Sequence, residues 1–206
     1  MTEWPLTTVS DDDLLPRIAA GDQGAFGELY RRRRLDVYRF ALHMSGAQAT
    51  AEDVVQDVFV IVMREAGRFR QGRSRAVAWL CGIARNCARQ RLERDRAFVA
   101  LDDDSQASGN RGAAPDPDPA GDMTRAEDIE RVRKAVLTLP MHYREAIVLC
   151  ELQEMSYAEA AEAIGCAVGT VRSRVHRGRE LLAEKLISGA LPKRSAPDVA
   201  DGRCLA

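Results

Sequence analysis

The side chains with most chemical potential in this chain are arginines, and they are clustered. Residues 64–96 hold ten of them (64, 68, 70, 73, 75, 85, 89, 91, 94 and 96) against Glu65, Glu93 and Asp95. At about 100° per residue, Arg85, Asn86, Arg89 and Gln90 share one exposed side of a helix, with Trp79 beside Asn86. Guanidinium groups that follow phosphates, next to an aromatic ring and amides, suit single-stranded nucleic acid. For Trp79 the plainer reading is core packing, the commoner fate of a tryptophan at helical spacing. An acidic patch at Glu52, Asp53 and Asp57, with Gln56 beside it, precedes the basic run. It lies opposite the Val54, Val55 and Val58 stripe, where a solvated surface is the plain reading.

A second constellation lies at 156–186. Ser156-Tyr157-Ala158-Glu159 has the spacing of a capping box, in which the serine oxygen and the glutamate carboxylate each satisfy a backbone donor. A short Ala-rich helix follows to Ile164, and Gly165 supplies a turn that needs positive φ. A second helix starts near Val168. On it Val168, Val171, Val175, Leu182 and Leu186 form one face. Thr170, Ser173 and Arg177 form the other, flanked by Arg172, Arg174, His176 and Arg179. Small residues such as Ala161 let the two helices cross closely. This spacing predicts a helix-turn-helix whose second helix enters a major groove, with arginines on base edges and phosphates. An amphipathic hairpin with a solvated basic face is the alternative.

These elements sit in a chain of 206 residues, 46% hydrophobic and 30% charged, with net charge −1. That composition supports packed helical cores and excludes a simple polycation. No window alternates with period two, whereas several repeat at 3.6. One is the face containing Val54, Val55, Val58, Phe59, Ile61 and Val62. A second contains Val77, Leu80, Ile83, Ala84 and Cys87, and a third Ile129, Val132, Val136 and Leu139. The expected fold is all-α, with two small helical domains at 11–98 and 125–187. Between them, 99–124 is Pro-rich and carries six aspartates against Arg111, as expected of a flexible acidic linker. Residues 188–206 read as a disordered tail.

Cys81, Cys87, Cys150, Cys166 and Cys204 are odd in number and lack a CxxC spacing. They are expected to be reduced thiols, mostly core filler, in a cytoplasmic protein. His43, His142 and His176 stand apart without metal-ligand spacing. No signal peptide, transmembrane run, nucleophile elbow or phosphate-binding glycine loop is evident. No cofactor, metal or catalytic residue is expected, and the chain is not read as an enzyme.

Three stretches carry a family resemblance: AEDVVQDVFVIVMREAGRF (51–69), AWLCGIARNCARQRLER (78–94) and SYAEAAEAIGCAVGTVRSRVHRGRELL (156–182). They resemble the second and fourth regions of extracytoplasmic-function sigma factors, in the same order and around a similar linker. The resemblance implies binding to core RNA polymerase and promoter DNA. Asp53, Gln56 and Asp57 would dock on the clamp coiled coil of the polymerase's largest subunit. The 74–96 helix, with Trp79, Arg85, Asn86, Arg89 and Gln90, and the loop 68–74 would melt the −10 element and hold a base out of the stack. Thr170, Arg172, Ser173, Arg174, His176 and Arg177 would read the −35 element. The linker would thread toward the polymerase active site, and an anti-sigma protein would cover both domains. Ala160 and Ala167 depart from the family's bulky aliphatic and proline, and Cys166 is a poor helix cap. A rival reading is a dimeric regulator with a helical input domain, which would bind DNA without polymerase.

Overall fold

The computed structural model describes residues 6–72, 75–101 and 122–190. Among them the ordered elements are helical. Four helices build the first half: α1 (Asp11–Ala19), α2 (Gln23–Ser45), α3 (Gln48–Glu65) and α4 (Ala76–Leu101). The second half contains α5 (Asp122–Leu137), α6 (Met141–Ile147), α7 (Tyr157–Ile164) and α8 (Val168–Ala190).

Local chemistry sets the boundaries. Ser10 and Asp22 cap α1 and α2 by accepting from Asp13 N and Ala25 N. Gly46, at φ 76°, ends α2 in the left-handed conformation that glycine adopts without a Cβ penalty. Pro140 precedes α6, whose last turn widens into a π-helical turn at Val148–Leu152. Glu154 then takes the left-handed φ of 53° that turns the chain into α7.

In the first half α2, α3 and α4 pack side by side with α1 across one end. Leu14, Leu29, Phe40, Val54, Val58 and Leu80 are almost fully buried. Each such side chain contributes about 1.5–3 kcal/mol through loss of apolar surface. Phe26, Tyr30 and Phe59 add edge-on ring contacts between α2 and α3. A buried ionic knot ties the start of α1 to α2: Asp11 pairs with Arg32 at 3.0 Å and with Arg33, while Glu28 accepts from Arg32 at 2.6 Å.

In the second half α6 crosses α8 at Gly178. A Cβ there would lie 2.7 Å from Ile147 Cγ1, so only glycine admits this approach. Val171 and Val175 are buried as their spacing predicts. Val168 is exposed instead, because it opens α8 before the helix reaches its neighbours. Ile129 and Val132 also depart from the expected stripe: only Val136 and Leu139 of that set reach the core. The two exposed residues line an open apolar groove with His43, Arg133 and Leu152.

The two halves also touch each other through buried side chains. Leu137 of α5 closes over Gly46. Arg144 donates to the Met44 carbonyl at 2.7 Å, and Gln153 to that of Asp36 at 3.2 Å. Helix α7 lies along α4. Helix α4 reaches Leu101 and α5 begins at Asp122, so helix extends three residues into each end of the expected linker. The rest of that linker lies outside the described residues, as does the tail beyond Ala190.

Candidate nucleic-acid and polymerase interfaces

Two devices on α1 position the start of α4. Asp12 Oδ1 accepts from Ala76 N at 2.6 Å, satisfying one of the free donors at that helix end. Asp13 Oδ1 accepts from Gln71 Nε2 at 2.6 Å and holds the preceding loop. Gly72 turns that loop at φ 82°. Arg73 and Ser74 lie outside the described residues. The aspartates at 11–13 were missed as site-building residues because they look like an ordinary acidic helix start.

On α4 the expected cluster comes together in part. Trp79 is half-buried, and its ring packs on Phe69 with centroids 5.9 Å apart. The ring is thus partly packed, as the plainer reading expects, and partly open to solvent. Trp79, Arg85 and Asn86 line a cavity of about 600 Å³, together with Arg68, Arg70 and Gly165. Asn86 and Gln90 are exposed. Arg89 is half-exposed, 3.6 Å from Glu93. Arg85 departs from expectation: its side chain is only 13% exposed, because it turns toward Glu145 of α6 at 3.0 Å.

The acidic face of α3 is not independent of the basic helix. Arg91 reaches from α4 to Asp53 at 2.7 Å and Asp57 at 2.6 Å. Burial opposes the charge on Arg91, but the Asp57 carboxylate outweighs it and raises the guanidinium pKa. Gln56 stands apart from this pair, exposed beside a concave surface formed with Tyr30, Leu35 and Tyr38. Arg91, one of the ten clustered arginines and outside the predicted strand-facing set, thus clamps α4 to α3.

The helix-turn-helix forms as its spacing predicts. Ser156 Oγ accepts from Glu159 N at 3.2 Å, and Ser156 N donates to Glu159 Oε2 at 2.9 Å. These bonds, led by the Ser156 hydroxyl, hold the Glu159 carboxyl below its ordinary pKa, and Arg75 adds to the effect. Gly165 turns the chain at φ 76°. Ala160 is fully buried against the neighbouring helices despite its small size. Arg172, Ser173, His176 and Arg177 are exposed on α8, with Thr170 and Arg174 half-exposed beside them. Ser173 Oγ donates to the Thr170 carbonyl, and Arg177 donates to Glu180 at 2.8 Å. That pairing raises the Arg177 pKa.

Among the described residues no group of His, Cys, Asp or Glu converges as a metal site, and no helix is long and apolar enough to cross a membrane. Burial pushes the Cys81 thiol pKa up to about 12 and raises that of Cys87.

A bundle bearing an arginine-rich helix, followed by a helix-turn-helix, is the arrangement expected of a two-part nucleic-acid-binding protein. The comparisons agree: Sigma-70 region 2 matches residues 29–98, and Sigma-70, region 4 matches residues 129–182. The chain is 34% identical to the ECF RNA polymerase sigma factor SigM of Mycobacterium tuberculosis, over 86% of this chain and 85% of that protein. It is 35% identical to the ECF RNA polymerase sigma factor SigE of Mycolicibacterium smegmatis over 82% of this chain, and the match spans 65% of SigE. Its fold is similar to the sigma factor RpoE in complex with the anti-sigma factor NepR from Bartonella quintana, with TM-score 0.66 and 31% identity, over 79% of this chain and 96% of that one. The chain belongs to the extracytoplasmic-function RNA polymerase sigma factors, which bind core polymerase and direct initiation at promoters.

Proposed function

We propose that the promoter work is divided between α4 and α8 and that α3 carries the polymerase contact. Helix α8 reads the −35 duplex through Thr170, Arg172, Ser173, Arg174, His176 and Arg177. Helix α4 and the loop before it open the −10 element and hold the exposed strand with Trp79, Arg85, Asn86, Arg89 and Gln90. Flipping a base costs a few kcal/mol, which phosphate pairing with the arginines offsets in part. Asp53, Gln56 and Asp57 dock on the polymerase clamp. The observation that carries this division is the contrast between the two faces. The outer face of α8 is an exposed arginine-rich row on the helix that follows the capped α7 and its Gly165 turn. Trp79 and Asn86 of α4 instead line a concave cavity with room for an unstacked base.

The chain performs no bond-making chemistry itself, acts in the cytoplasm, and is held inactive by an anti-sigma protein, a partner of the kind seen with RpoE of Bartonella quintana. Run-off transcription with core polymerase tests the reading. Core enzyme plus this chain should start transcripts at discrete sites, whereas the chain alone should not shift promoter duplex. A strong shift without polymerase would support the regulator instead.

A further inference from the structure

Helix α1 opens on three consecutive aspartates, and each serves a different element. Asp11 is buried, held by Arg32 at 3.0 Å and by Arg33, both on α2. Asp12 Oδ1 accepts from the backbone N of Ala76, the first residue of α4, at 2.6 Å. Asp13 divides its carboxylate: Oδ1 accepts from Gln71 Nε2 at 2.6 Å, and Oδ2 from Ser10 Oγ at 2.6 Å. The far end of α1 meets the same connection, since a Cβ on Gly67 would lie 3.9 Å from that of Ala19. Helix α1 therefore touches the chain between α3 and α4 near its entry, at Gln71 and at its exit. The bonds to Gln71 and Ala76 span 58 and 64 residues, so neither is local capping.

This connection forms part of the wall assigned to the opened strand. Arg68 and Arg70 line the cavity with Trp79 and Asn86. Phe69, between the two arginines, is buried with its ring on Trp79. Phe69 thus anchors the chain on one side of Arg70, and Gln71, held by Asp13, anchors it on the other.

We infer that Asp12 and Asp13 are positioning residues for promoter opening: they hold Ala76 and Gln71, and through them the cavity wall, in the shape that receives an unstacked base. The inference rests on the assignment of α4 and its preceding loop to the −10 strand. Asp11 supplies the fixed end of the clamp, because its partners belong to the helix at the centre of the bundle. A loop already held in its binding shape loses little freedom when the strand arrives, whereas a loose one must be ordered at that moment. An acidic first turn also favours its own helix through the macrodipole. That effect alone would change stability and leave opening untouched.

The test uses holoenzyme formed from core polymerase and the full chain, on a promoter fragment bearing a start site mapped by run-off transcription. Time-resolved permanganate reactivity of unpaired thymines reads opening. Filter binding at low temperature reads the closed complex, and thermal melts of the free chain read folding. Asp13→Ala and Gln71→Ala should each slow opening about fivefold, the effect of freeing one side chain that must then be ordered, with closed-complex affinity unchanged. The double variant should be no slower than either single one, because both remove the same bond. Asp12→Ala should also slow opening. Asp12→Asn and Asp13→Asn keep an acceptor oxygen and should open near the natural rate. Slowing that multiplies in the double variant, or that follows melting temperature and is not recovered by the Asn variants, would overturn the clamp and leave α1 a purely stabilising helix. Asn86→Ala, run beside them, separates the two readings. If it slows opening and the aspartate variants do not, the clamp alone is wrong. If all of them open normally, the assignment of α4 to the strand fails and the clamp falls with it.

Discussion

Arg91 of α4 holds Asp57 of α3 through two guanidinium nitrogens, at 2.6 and 2.9 Å. The acidic face assigned to polymerase docking is therefore also a joint between two helices of the bundle. Asp57→Ala should lower stability by about 1 kcal/mol or less, since the pair is partly exposed. It should also weaken binding to core polymerase. Gln56→Ala should weaken the same binding with no change in melting temperature, because Gln56 lies outside that joint. Competition binding against a second sigma factor, beside thermal denaturation, separates the two effects.

The capping box of α7 makes stability depend on pH. Glu159 has its folded pKa lowered below 4.5 by Ser156 and then Arg75. A lowered carboxyl pKa contributes stability that is present above about 4.5 and is lost as pH falls through the folded value. Thermal melts between about pH 6 and pH 3 should show this loss, and Glu159→Gln should flatten it. Ser156→Ala should cost about 1 kcal/mol at neutral pH.

Gly178 lets α6 and α8 touch. Gly178→Ala gains up to about 1 kcal/mol in helix propensity. It forces a methyl against Ile147 Cγ1, which belongs to a buried, branched side chain that cannot swing away. Overpacking of this kind costs about 1–3 kcal/mol. Chemical denaturation should therefore show net destabilisation. A stabilised variant would mean that the helices cross less closely than described.

The helix periods, the capping box and the Gly165 turn were legible in the sequence because each depends on neighbours within a few residues. The helix-turn-helix accordingly forms where expected. What was not legible depends on pairing across long sequence separations. Arg85 and Arg91 look identical in a basic run, yet one meets Glu145 and the other Asp53 and Asp57. Gly178 inside an otherwise regular helix was the overlooked signal of close helix crossing. Val168 and Ile129 had helical spacing but are exposed, Val168 at the start of α8 and Ile129 on the open apolar groove beside His43. Packing of the two halves was hidden by the acidic stretch between them, whose composition says nothing about where the helices on either side lie.

Helix α8 is assigned to closed duplex and α4 to the opened strand, a division of labour. Permanganate footprinting of the −10 region, with core polymerase bound, tests it most directly when Arg177→Ala and Asn86→Ala are compared on duplex and pre-melted promoters. Arg177→Ala should lose about 1–3 kcal/mol of −35 binding if it touches a base, or show a shallower salt slope if it touches a phosphate, and a pre-melted bubble should help it only slightly. Asn86→Ala should form the closed complex normally, open the duplex slowly, and recover most activity on the bubble. Normal opening by the Asn86 variant, or rescue of Arg177→Ala alone by the bubble, would contradict the assignment of these two helices.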